Sequence, residues 1–87
     1  MNLSQTSQFR RDVKRRIRKG KSTEKLVRII ELLLSEKPLP IKYRDHPLRG
    51  KWVERKDCHV EPDWILIYRH SEDELLLERT GSHSDLF

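Results

Sequence analysis

The spacing of apolar positions changes near the middle of the chain, from a helical period to strand alternation. In the first third, Phe9, Val13 and Ile17 recur every four residues. That narrow stripe predicts a helix capped by Ser7, running to about Lys19 and stopped by Gly20, after a short edge strand over Leu3 to Thr6. Leu26, Ile29, Ile30, Leu33 and Leu34 form a wider stripe, predicting a second, core-facing helix from a Ser22 or Thr23 cap to about Glu36. Pro38 and Pro40 end it, because each disfavours helical geometry in the residue before it. Beyond that link, Trp52 to Val60 and Trp64 to Arg69 read as strands around an Glu61-Pro62-Asp63 turn, and Glu74 to Thr80 as a third after a turn over Ser71 to Asp73. Trp64, Leu66 and Tyr68 share one face of the middle strand and Ile65 and Ile67 the other, so that strand should be central. The fold class expected is α+β, an N-terminal helical hairpin packed on one face of a small twisted antiparallel sheet.

Eighty-seven residues suit a single domain over 1–87. A chain of this size buries only about 60 to 65% of its unfolded surface, so its core is modest. No long apolar run or secretory signal argues for a membrane. Charge is unevenly placed. Residues 1–37 hold eleven Lys and Arg against four Asp and Glu, a net of +7, while residues 38–87 carry −2. The excess gathers where Arg10, Arg11, Lys14, Arg15, Arg16, Arg18 and Lys19 surround the first apolar stripe. A basic helix of this kind suits a polyanion, nucleic acid above all, and Arg15, Arg16 and Lys19 are candidates for phosphate contact. The lone Cys58 has no disulfide partner and no zinc-ligand spacing, which favours a reducing cytoplasm and a buried structural role.

Three of the four histidines, His46, His59 and His83, lie where a loop meets a predicted strand, beside carboxylates, arginines and aromatics. Histidine exchanges protons near neutrality, so three around one small sheet point to acid/base chemistry. Their separations of thirteen and twenty-four residues match no local metal-ligand motif, and no metal or cofactor is expected. His70, beside Ser71, is expected to be merely exposed. Arg79 falls by strict alternation on the side of Leu75 and Leu77, from which it either bends back to solvent or emerges at the sheet edge near His83, where binding the scissile phosphate is its preferred role. Trp64 is a weaker candidate for stacking on a base.

The segments Asp45 to Trp52 (DHPLRGKW), His59 to Tyr68 (HVEPDWILIY) and Glu78 to Phe87 (ERTGSHSDLF) resemble, in that order, the YafQ-type toxins of the RelE/ParE superfamily, proteins of bacterial type II toxin-antitoxin systems. The resemblance spans essentially the whole chain, and HVEPDWILIY is its most specific part. It implies a RelE-like fold and a metal-independent endoribonuclease, or mRNA interferase, acting on messenger RNA in the ribosomal decoding site. Carried over by position, the active-site histidines fall on His46, His59 and His83, the aspartate on Asp63 and the C-terminal aromatic on Phe87. The 2′-hydroxyl of RNA is then the nucleophile, and the enzyme supplies a base, an acid and cations. His46 is taken as base and His83 as acid, Asp63 as the acceptor that fixes the His59 tautomer, and Phe87 as a stacking ring. The implied partners are a cognate antitoxin, mRNA and the ribosome, with operator DNA met only through the antitoxin complex. Two alternatives are a non-catalytic gyrase inhibitor of the ParE kind, which needs no histidine site, and a basic RNA-binding module, which needs neither His83 nor Phe87.

Overall fold

The computed structural model describes all residues, Met1 to Phe87. Strand β1 (Asn2–Gln5) leads into helix α1 (Ser7–Arg18), helix α2 (Glu24–Leu34) and a 3-10 turn (Ile41–Tyr43). Strand β2 (His46–Pro47), a second 3-10 turn (Gly50–Trp52), strands β3 (Lys56–Glu61), β4 (Trp64–His70) and β5 (Glu74–Gly81), and the short helix α3 (His83–Leu86) follow. The sheet order is β1-β5-β4-β3-β2, antiparallel except where β1 runs parallel to β5. The α+β class and the mainly antiparallel sheet match the expectation. Trp52 lies in the 3-10 turn rather than at the head of a strand, which begins four residues later at Lys56.

Strand β4 is central and apolar on both sides, as its sequence required. Trp64, Leu66 and Tyr68 join Cys58, Val60, Leu75 and Leu77 beneath Phe9, Leu26, Ile29 and Leu33 of the two helices. Ile65 and Ile67 face the opposite way and are covered by Leu86, Leu48 and Trp52. Residues paired directly across antiparallel strands point to the same face. His59 opposite Ile65, Asp57 opposite Ile67 and His46 opposite Asp57 therefore share the face turned away from α1 and α2.

Helix α1 departs from the sequence reading in three ways. Its cap is Thr6, one residue before the expected Ser7, because the Thr6 hydroxyl accepts from the Phe9 N–H at 2.9 Å while donating to the Glu78 carbonyl at 2.7 Å. Ile17 is half-exposed, since a strict four-residue spacing drifts off the face of a 3.6-residue helix. The buried line is Phe9, Asp12 and Arg16, with Val13 beside it. Arg16 is thus not on the solvated basic face but has its guanidinium 5.1 Å from the centre of the buried Trp64 ring, a cation–π contact.

Asp12 is fully buried. Its carboxylate accepts from Arg79 Nε at 2.7 Å and Nη2 at 3.2 Å, from the Thr80 N–H at 3.1 Å and from Gln8 at 3.1 Å. Burial alone would raise its pKa, but these donors outweigh it and hold the carboxyl below the usual range. Arg79 is accordingly an anchor for α1 and not a free phosphate cation. The alternation that placed it with Leu77 is broken by a bulge: Tyr68 pairs with Leu77 but Ile67 with Arg79. Because β1 covers β5 only to Leu77, α1 packs along the remaining edge, where Asp12 meets the guanidinium.

Removing one partner of a buried ion pair leaves the other uncompensated, so Asp12→Asn is expected to lower stability in urea by about 3 kcal/mol. Ile17→Ser should stay within about 0.5 kcal/mol of the parent. The depressed Asp12 value contributes stability that is complete above the unfolded carboxyl pKa, about 3.9, and is lost as pH falls through the lower folded value. Equal urea midpoints for the two variants would show that the pair does not anchor the helix.

Candidate active site

The three histidines converge on the sheet face opposite α1 and α2, each fixed by its Nδ1 edge. His46, exposed on β2, has Nδ1 at 2.8 Å from the Arg44 carbonyl, and its segment is clamped from behind by Asp45, which accepts from Tyr68 Oη and pairs with Lys56 at 3.0 Å. His59 Nδ1 lies 3.2 Å from the Pro62 carbonyl. His83 Nδ1 lies 3.1 Å from Asp63 Oδ1, which also accepts the His83 backbone N–H at 3.1 Å. Those two hydrogen bonds hold the exposed Asp63 carboxyl below its ordinary range.

The partners assign the tautomers. A carbonyl or an ionised carboxylate only accepts, so Nδ1 carries the proton in all three rings and Nε2 is the bare nitrogen of the neutral form. No protein group hydrogen-bonds any of these Nε2 atoms. The His59 and His83 ring centres are 5.8 Å apart, and the Phe87 ring centre is 6.1 Å from that of His83. Such an array can take a proton at one ring and give one at another. Asp63 serves His83 rather than His59, a correction to the sequence reading: the end of β5 brings His83 over the Pro62–Asp63 turn, while the His59 ring closes on the Pro62 carbonyl.

His83, read from the sequence as lying where a loop meets a strand, is the first residue of α3. Ser82 caps that helix with a reciprocal box, its hydroxyl accepting from the Asp85 N–H at 3.2 Å and its own N–H donating to Asp85 Oδ2 at 3.1 Å. Gly81 is needed beside it, since a Cβ there would lie 3.0 Å from Asp85 Oδ2. Leu86 buries against Ile65 and Ile67, so α3 is pinned to the sheet while His83 and Phe87 remain exposed. Trp64 is buried with its Nε1 donating to Thr80 Oγ1 at 2.8 Å, so it is not available to stack on a base. Arg15 and Lys19 stay near α3, Arg15 being 3.9 Å from Asp85. His70 is exposed at the end of β4, as expected.

Asp57 was missed. Its buried Oδ1 sits 3.0 Å from His46 Nδ1 without the alignment of a hydrogen bond, as that N–H points to the Arg44 carbonyl. Burial pushes its carboxyl above the ordinary range, and attraction to His46, His59 and His83 offsets this only in part. A carboxylate two residues before His59 on a strand must share its face, which was the available signal.

The family of bacterial toxins of type II toxin-antitoxin systems called YafQ matches residues 1–87. The chain belongs to the YafQ family. It is 44% identical over 87 residues to the mRNA interferase toxin YafQ of Escherichia coli strain K12, covering 99% of this chain and 95% of that protein. The crystal structure of YafQ from E. coli strain BL21(DE3) superposes with a TM-score of 0.96 at 42% identity, covering 99% of this chain and 97% of that one. YafQ in the E. coli DinJ–YafQ complex gives a TM-score of 0.93 at 44% identity, with coverage of 99% and 97%.

Because the folded Asp57 value is raised, the native state holds that proton more tightly than the unfolded chain does. Stability therefore falls as pH rises from about 3.9 through the higher folded value. Asp57→Asn is expected to raise the urea midpoint at pH 7, with the gain vanishing as the pH is lowered through that interval. A lower midpoint at pH 7 would mean that the histidines more than repay the burial.

Proposed function

We propose that this YafQ-family toxin is a ribosome-dependent mRNA interferase, an endoribonuclease that works without a metal, and that its histidines perform the acid/base steps. The observation that carries this reading is the set of three rings on one sheet face, each tied at Nδ1 and open at Nε2. It is supported by the mRNA interferase activity named for the E. coli relative.

In the reaction, His46 Nε2 removes the proton of a ribose 2′-hydroxyl, and the 2′-oxygen attacks the adjacent phosphorus. Protonated His83 delivers its Nε2 proton to the departing 5′-oxygen, leaving a 2′,3′-cyclic phosphate and a 5′-hydroxyl. Asp63 keeps the His83 ring turned. Arg79, held by Asp12, is not free to meet the phosphate, and Arg16, buried on the Trp64 ring, acts on this side only through its charge at Asp63. Phe87 stacks on a base beside His83. The half-buried Arg15 and the exposed Lys19 contact RNA of the ribosome.

An antitoxin holds the toxin inactive, by analogy with the DinJ–YafQ pair, and operator DNA is met only through that complex. The site of action is the cytoplasm, where translated messages are; no helix is long and apolar enough to cross a membrane. A gyrase inhibitor or a simple RNA-binding module would leave the oriented histidines without a task.

Expression of the chain alone in bacteria is expected to give in-frame message cuts confined to translated regions when 5′ ends are mapped. His83→Ala should lose about 10² to 10⁴ in cleavage rate with an unchanged melting temperature, whereas His70→Ala should match the parent. Near-parental cleavage by His83→Ala would remove that ring from the chemistry. Phe87→Ala should cost about ten- to a hundredfold and Phe87→Trp little, since base stacking is worth roughly 1 to 3 kcal/mol; unchanged cleavage per folded molecule in the alanine variant would exclude stacking.

A further inference from the structure

A cavity of about 510 Å³ opens beside the histidine face, between α2, the 3-10 turn at Ile41–Tyr43 and the end of β3. Its walls carry Lys25 and Arg28 from α2, Lys42, Tyr43 and Arg44 from the turn, and His59 from β3. Of the two glutamates that also line it, Glu61 is already neutralised by Lys21 at 2.7 Å and Lys25 at 3.2 Å. Arg28, Lys42 and Arg44 are exposed and form no ion pair, so three cations face the cavity with one uncompensated carboxylate, Glu24, among them. Lys42 is not loose: its Nζ sits 5.1 Å from the centre of the Tyr43 ring, which itself packs on the core. The Arg44 backbone that orients His46 also carries the Arg44 side chain into this wall.

We infer that this cavity is a subsite for single-stranded RNA, in which Arg28, Lys42 and Arg44 bind the phosphodiesters flanking the one cleaved. The inference rests on the reading of the histidine face as an RNA-cleaving site. Its argument is continuity: His59 belongs both to the cavity and to the 5.8 Å ring pair with His83, so whatever the histidines act on extends into the cavity in the reacting complex. A volume of this size lies in the range of pockets that take one small ligand, which fits a nucleotide and excludes a duplex. An acidic peptide would meet the same cations, but it would not need to run past a proton-transferring ring. None of these cations lies on the basic first helix, so the strand is gripped on the other side of the site from Arg15 and Lys19.

The test is an NMR titration of the full chain with a 2′-O-methylated RNA tetranucleotide, which holds two phosphodiesters beside the one at the histidines, lacks the attacking hydroxyl and stays intact. Resonances of Arg28, Lys42, Arg44 and His59 should shift at low-millimolar ligand. In Arg28→Gln/Lys42→Gln, whose exposed sites leave the core untouched, binding should weaken about tenfold. The slope of log affinity against log salt should fall by about 1.4, at about 0.7 per phosphate contact on a single strand. Shifts confined to α1, no shifts at all, or undiminished binding by the double variant would overturn the inference. So would normal tetranucleotide binding by the double variant combined with a loss of antitoxin affinity, which would assign the cavity to the antitoxin. Message cleavage by the parent chain is read separately: intact messages with the expected shifts would reject the nuclease reading and leave the cavity standing as an RNA site.

Discussion

The buried carboxylate of Asp12 is the constraint on which the rest of the arrangement hangs. It gathers the Arg79 guanidinium and the Thr80 N–H, fixing α1 against β5 at the bulge where the strand changes register. Thr80 passes the order on, accepting from Trp64 Nε1 and donating to the Ile65 carbonyl at 2.7 Å. Gly81, the Ser82–Asp85 box and His83 follow within five residues. Loss of the bulge would slip the register by one residue and turn the whole C-terminal run to the other face of the sheet. The position of His83 over Asp63 is therefore decided some distance away, on a helix that contributes no histidine.

Strand β4 divides the molecule's two requirements. One side buries Trp64, Leu66 and Tyr68 beneath the helices and supplies most of the core. The other offers only Ile65, Ile67 and their cover, and the polar residues opposite them, His59 and Asp57, are held there by register. Asp57 shows what that second face costs: a carboxylate kept almost out of water next to three histidines, with its pKa displaced upward. Placing charge where it destabilises the fold is a common mark of sites shaped for chemistry.

Features set by local periodicity were legible in the sequence. The two-sided apolar run of β4 and the core stripe of α2 follow from alternation and a wide helical stripe, and the burial of Cys58 from the general burial of free cysteine. The first helix misled because its true buried line includes Asp12 and Arg16, charged residues that a hydrophobic pattern discards. The placement of Arg79 failed at the bulge, which leaves no compositional trace, and that of Asp63 failed because its partner lies twenty residues on and is chosen by tertiary packing. Asp57 was readable from its spacing to His59. The histidines themselves were legible as a group, while the common tethering of their Nδ1 atoms to two backbone carbonyls and a carboxylate emerges only in three dimensions.

In the proposed reaction, oriented imidazoles use the substrate's own 2′-hydroxyl as nucleophile. The chemistry of the cut ends tests this directly. Mass spectrometry of fragments from a message cleaved by the purified chain on ribosomes in the presence of a chelator should find 5′-hydroxyl ends matched by 2′,3′-cyclic phosphates. Fragments bearing 5′-phosphates and 3′-hydroxyls, or cleavage that stops when the chelator is added, would contradict the account.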